Sequence, residues 1–394
     1  MALYVNVKYI VGCSAKNENH SSFFASLPIH WIASDHTQVL MNALESQLEY
    51  AFGDTLPALG ATLEVAPGVL WLRMGLPFAL DHINLWLLED EVDTPAGRVR
   101  GWTAVDCGIA TDITKESWEA IFATQLRGLP ILRVLVTHCH PDHVGLADWL
   151  CRRWHAPLWM SAAEYGFARL MSAGLPGADG SAAAPHFRLH GLTDAEQIAK
   201  LAGRNHYYQN LVPSVPLAYT RMQDQHMVRI GGRDWRVITG FGHSPEHVSL
   251  YAGDVRLLIS GDMVLPRIST NVSVFAIEPE SNPVQQYLDS LKKYAGLADD
   301  TLVLPSHGKP FRGLHTRIAQ LNDHHRARLA EVVEACATPQ SAVDILPVMF
   351  KRPLDTHQLS FALGEAVAHL HKLWFDGVLQ RQLGEDKVYR FVAV

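Results

Sequence analysis

No stretch of this 394-residue sequence approaches the roughly 20 consecutive apolar residues that a bilayer-spanning helix needs, so no membrane association is expected. Cysteine is scarce and unpatterned. There are five, an odd number, with no C-x-x-C spacing, which argues against a disulfide framework and against a cysteine-based zinc finger. Positive charge is short as well: the formal net charge is −7, and no basic signature for nucleic acid stands out. A reducing cytoplasm is the expected setting. Ile10-Val11-Gly12-Cys13 is similar to the lipid-attachment box of bacterial lipoproteins. The segment before it lacks a basic leader and is interrupted by Asn6 and Lys8, so lipidation at Cys13 is not expected.

The apolar content, 48%, is enough to bury a large core and suits one big domain with a smaller one. Residues 1–60 show no clear period and read as an extension, within which Met41 is an alternative start. Regular structure becomes legible from Thr62. Leu63 to Leu72, Ile83 to Leu88 and Trp102 to Val105 read as strands, and Lys115 to Leu126 as a helix. The Ile131 to Val136 strand and a helix from Pro141 to about Trp154 make a β-α unit. Another short strand at Leu158 to Met160 and a helix from Ala162 to Met171 follow. Residues 172–210, rich in Gly, Ala and His with one helical piece near Asp194 to Ala202, read as an insertion that shapes substrate access. Strands resume at His226 to Ile230, Trp235 to Thr239, Val248 to Tyr251, Arg256 to Ser260 and Leu302 to Leu304. Several of these run into His or Asp, so their loops are expected to converge on one rim.

The densest chemistry sits in Thr137-His138-Cys139-His140-Pro141-Asp142-His143, where a buried strand gives way to a helix. His138 and His140, two apart, can point the same way from extended chain, while Asp142 and His143 aim from the following turn at a second point. Three imidazoles and a carboxylate in six residues suit a borderline divalent metal such as zinc, and the doubling suggests two ions. Alternation sends Cys139 to the opposite side, into packing, and Cys107 is also expected to be buried structure.

Together with His243, Asp262 and His307, each behind a strand, the motif His138-x-His140-x-Asp142-His143 resembles that of the metallo-β-lactamase superfamily over roughly residues 60–312. The resemblance implies an α+β fold, the four-layer αβ/βα sandwich, with a catalytic domain over residues 61–312. It implies that His138, His140 and His243 hold one metal, that Asp142, His143 and His307 hold the other, and that Asp262 bridges them. Asp106 matches a family aspartate that braces the site from outside the ligand set. His247 reads as hydrogen-bonded structure outside the ligand set, or else as a substrate-facing histidine or accessory ligand. Glu246 stands where similar proteins usually carry glycine, which bears on the shape of that turn. Arg267, just past Asp262, is a candidate for binding an anionic part of the substrate, with a salt bridge or cap within its loop as the other reading. His315, His324 and His325 are expected to face solvent or to lie behind the ligands.

Residues 313–394 form a separate module, expected to contain helices over Leu314 to Ala337, Ser341 to Phe350 and Leu359 to Phe375, and a hairpin of Val378 to Leu383 with Lys387 to Val392. Three helices and a hairpin resemble a winged-helix domain. Nine basic and nine acidic residues, with His357, His369, His371 and Lys372 against Glu365 on the third helix, lack the electrostatic footprint of duplex binding. Packing or dimerisation is expected instead, so the partners foreseen are a small-molecule substrate and a second copy of the chain.

The expected activity is hydrolysis of a small-molecule thioester or ester, similar to glyoxalase II-like hydrolases. A hydroxide bridging two divalent metals would be the nucleophile, oriented by Asp142. Zinc is the first choice, with iron or manganese accepted by the same donors. The alternatives are an endoribonuclease, suggested by the winged tail, and an iron-dependent oxidoreductase like those that oxidise persulfides.

Overall fold

The computed structural model describes residues 43–394 apart from Ala96, residues 176–179 and Asn205. The expectations placed on Cys13 and on Met41 lie outside the described residues. Two sheets carry the fold. In the first, β1 (Leu63–Ala66), β2 (Val69–Gly75), β3 (His82–Thr94), β4 (Gly97–Val105), β5 (Ile131–Leu135), β6 (Leu158–Met160) and β7 (Thr220–Arg221) lie side by side in chain order, antiparallel up to β4 and parallel from there on. The second has the order β12-β11-β10-β9-β8, formed by β8 (Met227–Ile230), β9 (Arg233–Gly240), β10 (His247–Ala252), β11 (Leu257–Gly261) and β12 (Leu302–Pro305).

Strand alternation sorts the side chains into layers. Trp71, Trp86, Val105 and Leu135 of the first sheet meet Trp235, Val237, Val248 and Ile259 of the second in the central core. The intervening Leu70, Leu72, Leu85 and Leu87 face outward under helices α1 (Asp112–Thr124) to α4 (Ala162–Ser172), and Ile238, Leu258 and Val303 face outward on the other side. This is the four-layer αβ/βα sandwich. Arg133 on β5 clamps the layers together: it holds Asp90 of β3 through two 2.8 Å bonds and reaches the Arg229 carbonyl in the second sheet.

Three local expectations are corrected. The helix expected from Pro141 to Trp154 is two, α2 (Pro141–Val144) and α3 (Ala147–Trp154). Leu146 leaves helical geometry because its N–H donates to Gly108, and the 108–110 backbone lies so close that a Cβ on Gly145 would come within 2.8 Å of Ala110 N. The insertion holds three helices rather than one: α5 (Gly180–Leu189), with Pro185 inside it, α6 (Ala195–Ala202) and α7 (Tyr207–Leu211). Helix α8 (Pro283–Leu291), which the sequence reading passed over, starts where Asn282 accepts from Gln285 N and Pro283 occupies the first position.

The carboxy-terminal region consists of α9 (Leu314–Ala335), α10 (Ala342–Met349), α11 (Thr356–Phe375) and a hairpin of β13 (Leu379–Leu383) with β14 (Tyr389–Ala393). Capping boxes start α10 at Ser341 and α11 at Asp355. Leu363, Val367 and Leu370 share one continuous core with Ile238 and Val303 of the catalytic sandwich. Here the reading of His325 is corrected: it is buried, as are His369 and His371. His325 stacks on His369 at 5.5 Å between ring centroids, while His369 and His371 donate to the carbonyls of Glu365 and Ser281. Lys372 is buried as well, so this face of α11 packs inward rather than meeting solvent. His315 and His324 are half-buried.

Candidate metal centre

Five strand ends from both sheets deliver the candidate residues to one edge of the sandwich. Asp106 follows β4, the His138 to His143 loop follows β5, His243 follows β9, Asp262 follows β11 and His307 follows β12. All are buried except His140 and Asp142, which are half-buried.

Their donor atoms converge on two adjacent points. His138 Nε2 lies 2.9 Å from His140 Nδ1 and 3.2 Å from His243 Nε2, which is 3.3 Å from Asp262 Oδ2. Alongside, Asp142 Oδ2 lies 3.7 Å from His143 Nε2 and 3.5 Å from His307 Nε2. Asp262 turns its other oxygen, Oδ1, to this second group, 3.6 Å from His143 Nε2 and 3.5 Å from His307 Nε2. Zinc–nitrogen bonds of about 2.0–2.1 Å in tetrahedral geometry put neighbouring donors ~3.4 Å apart, so these separations fit donors sharing a cation. Asp262 Oδ1 and His143 Nε2 are also buried without a hydrogen-bond partner among the described residues, a combination that an ion explains. The groups that could each hold a metal are thus His138, His140, His243 and Asp262, and Asp142, His143 and His307.

The far sides of the rings are fixed by acceptors. Asp106, at φ 63°, accepts from His143 Nδ1 at 2.8 Å and from Thr137 N at 2.7 Å. His243 Nδ1 donates to the Asn271 carbonyl at 2.8 Å, and His307 Nδ1 to the His82 carbonyl at 2.7 Å. Each bond holds a proton on Nδ1 and turns Nε2 toward the centre. His247 stands behind the cluster: its Nε2 accepts from Asp262 N at 3.0 Å.

Burial, reinforced by the neighbouring imidazoles, holds His138 and His140 far below the ordinary histidine range, in the neutral form that coordination requires. In the second group burial is overcome by carboxylates. Asp142, Asp106 and Asp262 carry His143 up to about 10. Burial also opposes ionisation of Asp262, yet His307 and His143 hold its carboxyl well below the usual range. The cluster therefore contains lone pairs and negative charge facing inward, a setting that attracts cations.

The sequence profile of the metallo-beta-lactamase superfamily matches residues 97–307, and that of the metallo-beta-lactamase-like C-terminal domain matches residues 329–394. The chain belongs to the metallo-β-lactamase superfamily. Among solved structures, a beta-lactamase domain protein from Burkholderia ambifaria is 58% identical, with 90% of this chain and all of that one covered and a TM-score of 0.84. A metallo-beta-lactamase family protein from Thermus thermophilus is 26% identical, with coverage of 84% and 100% and a TM-score of 0.68. The protein named "Probable metallo-hydrolase YqjP" from Bacillus subtilis is 20% identical over 331 residues, 77% of this chain and 92% of that protein.

Several residues that shape this superfamily site escaped the sequence reading. Glu164, buried within α4, accepts from Cys139 N at 2.8 Å, from Glu246 N at 2.7 Å and from the Ser244 hydroxyl, tying the His138 loop to the His243 loop. Its burial raises its pKa. Nothing distinguishes it in sequence from any other helix glutamate. Glu246 turns its side chain to Ala163 N in the first turn of α4, which gives that non-glycine residue a capping role. Arg73 Nη2 donates to Gly308 O at 2.7 Å, and Asn84 Nδ2 donates to Pro305 O and Gly308 O, so β2 and β3 hold the His307 turn. Arg267 is exposed and lies 3.8 Å from Glu45, in an ion pair. Cys139 and Cys107 are buried, and burial raises both thiols well above the usual range.

Proposed function

We propose that this metal-dependent hydrolase of the metallo-β-lactamase superfamily holds two divalent cations, zinc first among them, and cleaves small-molecule thioesters or esters. The observation that carries the reading is the Asp262 carboxylate, one oxygen directed at each cluster of donors. When bound, the cations supply Lewis acidity toward an acyl oxygen and the means of ionising water near neutral pH.

The chain's own residues do the rest. Asp142 has twice the side-chain exposure of Asp262, 18% against 9%. It turns Oδ2 to the two histidines, which leaves Oδ1 to accept a proton from the attacking water and orient it. Asp106, Asn271 and His82 keep the rings from turning as charge builds up. The segment after Asp262 leaves Ile268, Phe275 and Ile277 exposed, apolar surface that suits the acyl or alkyl portion of a small molecule. The inward packing of His369, His371 and Lys372 speaks against an RNA-binding face on α11.

The test is metal content of the purified protein followed by turnover of thioesters, lactones and RNA. Two equivalents of zinc and ester or thioester cleavage, lost in His138→Ala and Asp262→Ala, are expected. Full turnover in metal-free protein, cleavage of RNA alone, or iron with oxygen consumption on a persulfide would overturn the reading.

A further inference from the structure

Helix α11 of the carboxy-terminal region touches the metal centre through one intermediary. The segment after Asp262 passes between the candidate ligands and this helix. On the ligand side, the Thr270 hydroxyl donates to the Asp262 carbonyl and the Asn271 carbonyl accepts from His243 Nδ1 at 2.8 Å. On the helix side, Asn271 Nδ2 donates to Glu365 Oε2 at 3.2 Å and Val274 N donates to the Gly364 carbonyl at 3.1 Å. The Asn271 amide oxygen accepts from Ser273 Oγ at 2.8 Å, so both ends of this amide are engaged and its orientation is set. The approach is close: a Cβ on Gly364 would lie 2.8 Å from Ser273 Cβ.

We propose that Glu365 is a positioning residue for the metal centre: by fixing the Asn271 side chain it fixes the Asn271 carbonyl, which holds His243 with Nδ1 protonated and Nε2 free to coordinate. The inference rests on His243 being a ligand. The Glu365 side chain is suited to this task because its Oε2 accepts from the amide N–H at a fixed place on a helix, whereas a water in its place would let the amide and its backbone shift. The arrangement gives the carboxy-terminal region a part in the chemistry of a site to which it contributes no ligand. It also accounts for a polar carboxylate on a helix whose neighbours Ala362, Leu363, Ala366 and Val367 are buried apolar residues.

The experiment uses the full-length protein, with cobalt(II) affinity by chelator competition, the visible spectrum of the cobalt form, and melting of the metal-free chain. Glu365→Ala and, independently, Asn271→Ala are expected to weaken one of the two cobalt equivalents by about 10-fold and to alter its absorption bands. Glu365→Gln, which keeps an acceptor oxygen at the same reach, restores both. The proposal is overturned if both alanine variants bind two equivalents as tightly as the parent with an unchanged spectrum. It is equally overturned if Glu365→Gln is as impaired as Glu365→Ala and metal-free melting falls in step, the signature of a merely structural loss. His243→Ala separates the two layers of the reading. If it loses an equivalent while Glu365→Ala is silent, only the positioning role fails. If it loses nothing, the ligand assignment fails and takes this inference with it.

Discussion

The backbone N–H of Asp262 donates to His247 Nε2 across 3.0 Å. That bond puts the His247 proton on Nδ1 and aims the Asp262 carboxylate from behind. Gly261 makes the approach possible, since a Cβ there would lie 2.3 Å from the ring nitrogen. His247→Ala is therefore expected to lower metal affinity by about 10- to 100-fold while leaving the fold intact. Metal content after dialysis against graded chelator reads this directly, and unchanged retention would refute it.

Glu164 answers three donors at once, two of them backbone N–H groups. Glu164→Ala strands all three, at a cost of about 1–3 kcal/mol for each unsatisfied group that water cannot reach. Urea denaturation should show a large drop in midpoint with an unchanged slope. A midpoint matching the parent would mean that the two loops hold their positions without it.

The same residue shows where the sequence stopped being legible. The strand-then-His and strand-then-Asp endings announced the edge of the sandwich, because a ligand must sit at the end of a rigid element and such residues are conspicuous after β-branched runs. Glu164 and Asn84 act through backbone groups of distant segments, and Asn271 through the side chains of His243 and Glu365, and no local pattern encodes those partners. His325 was misread for a related reason. Helical spacing reveals which face a residue occupies, but whether a histidine on that face finds a carbonyl or an aromatic neighbour depends on packing. The missing helices of the insertion follow from its Gly, Ala and Pro content, where propensity is divided and docking decides. Gly145 and Leu146 break the helix after Asp142 through contact with residues 108–110, again a matter of tertiary structure.

Protonation should unfold this protein from mildly acidic pH downward. Burial lowers His186 and His369 to about 4, His325 to about 3 and His190 to about 2. In the unfolded chain these rings bind protons near 6.5, so below that pH the unfolded state holds more protons and is favoured. Their stabilising effect is full above about 6.5 and drains away as pH falls through the folded-state values. Melting temperature should accordingly decline between about pH 7 and about pH 5, and His369→Gln should flatten the decline. Parallel curves for parent and variant would contradict this assignment.

Removal of metal should lower the melting temperature, and restoring it should return the loss. With free zinc at about 100 times its dissociation constant, each site adds about 2.7 kcal/mol to the folded state. His138→Ala should show a smaller response to chelator than the parent. A melting curve indifferent to chelator in the parent would argue against coordination by these residues.

Arg73 and the Gly308 carbonyl that it grips are 235 positions apart. That distance imposes a chronology on the newborn polypeptide. While the ribosome is still making the second sheet, the early strands are already available but the turn they must capture has not been synthesised. Contacts of such long reach close late and slowly. His307, one position before that carbonyl, therefore cannot join the other candidate ligands until the chain has been made past residue 308.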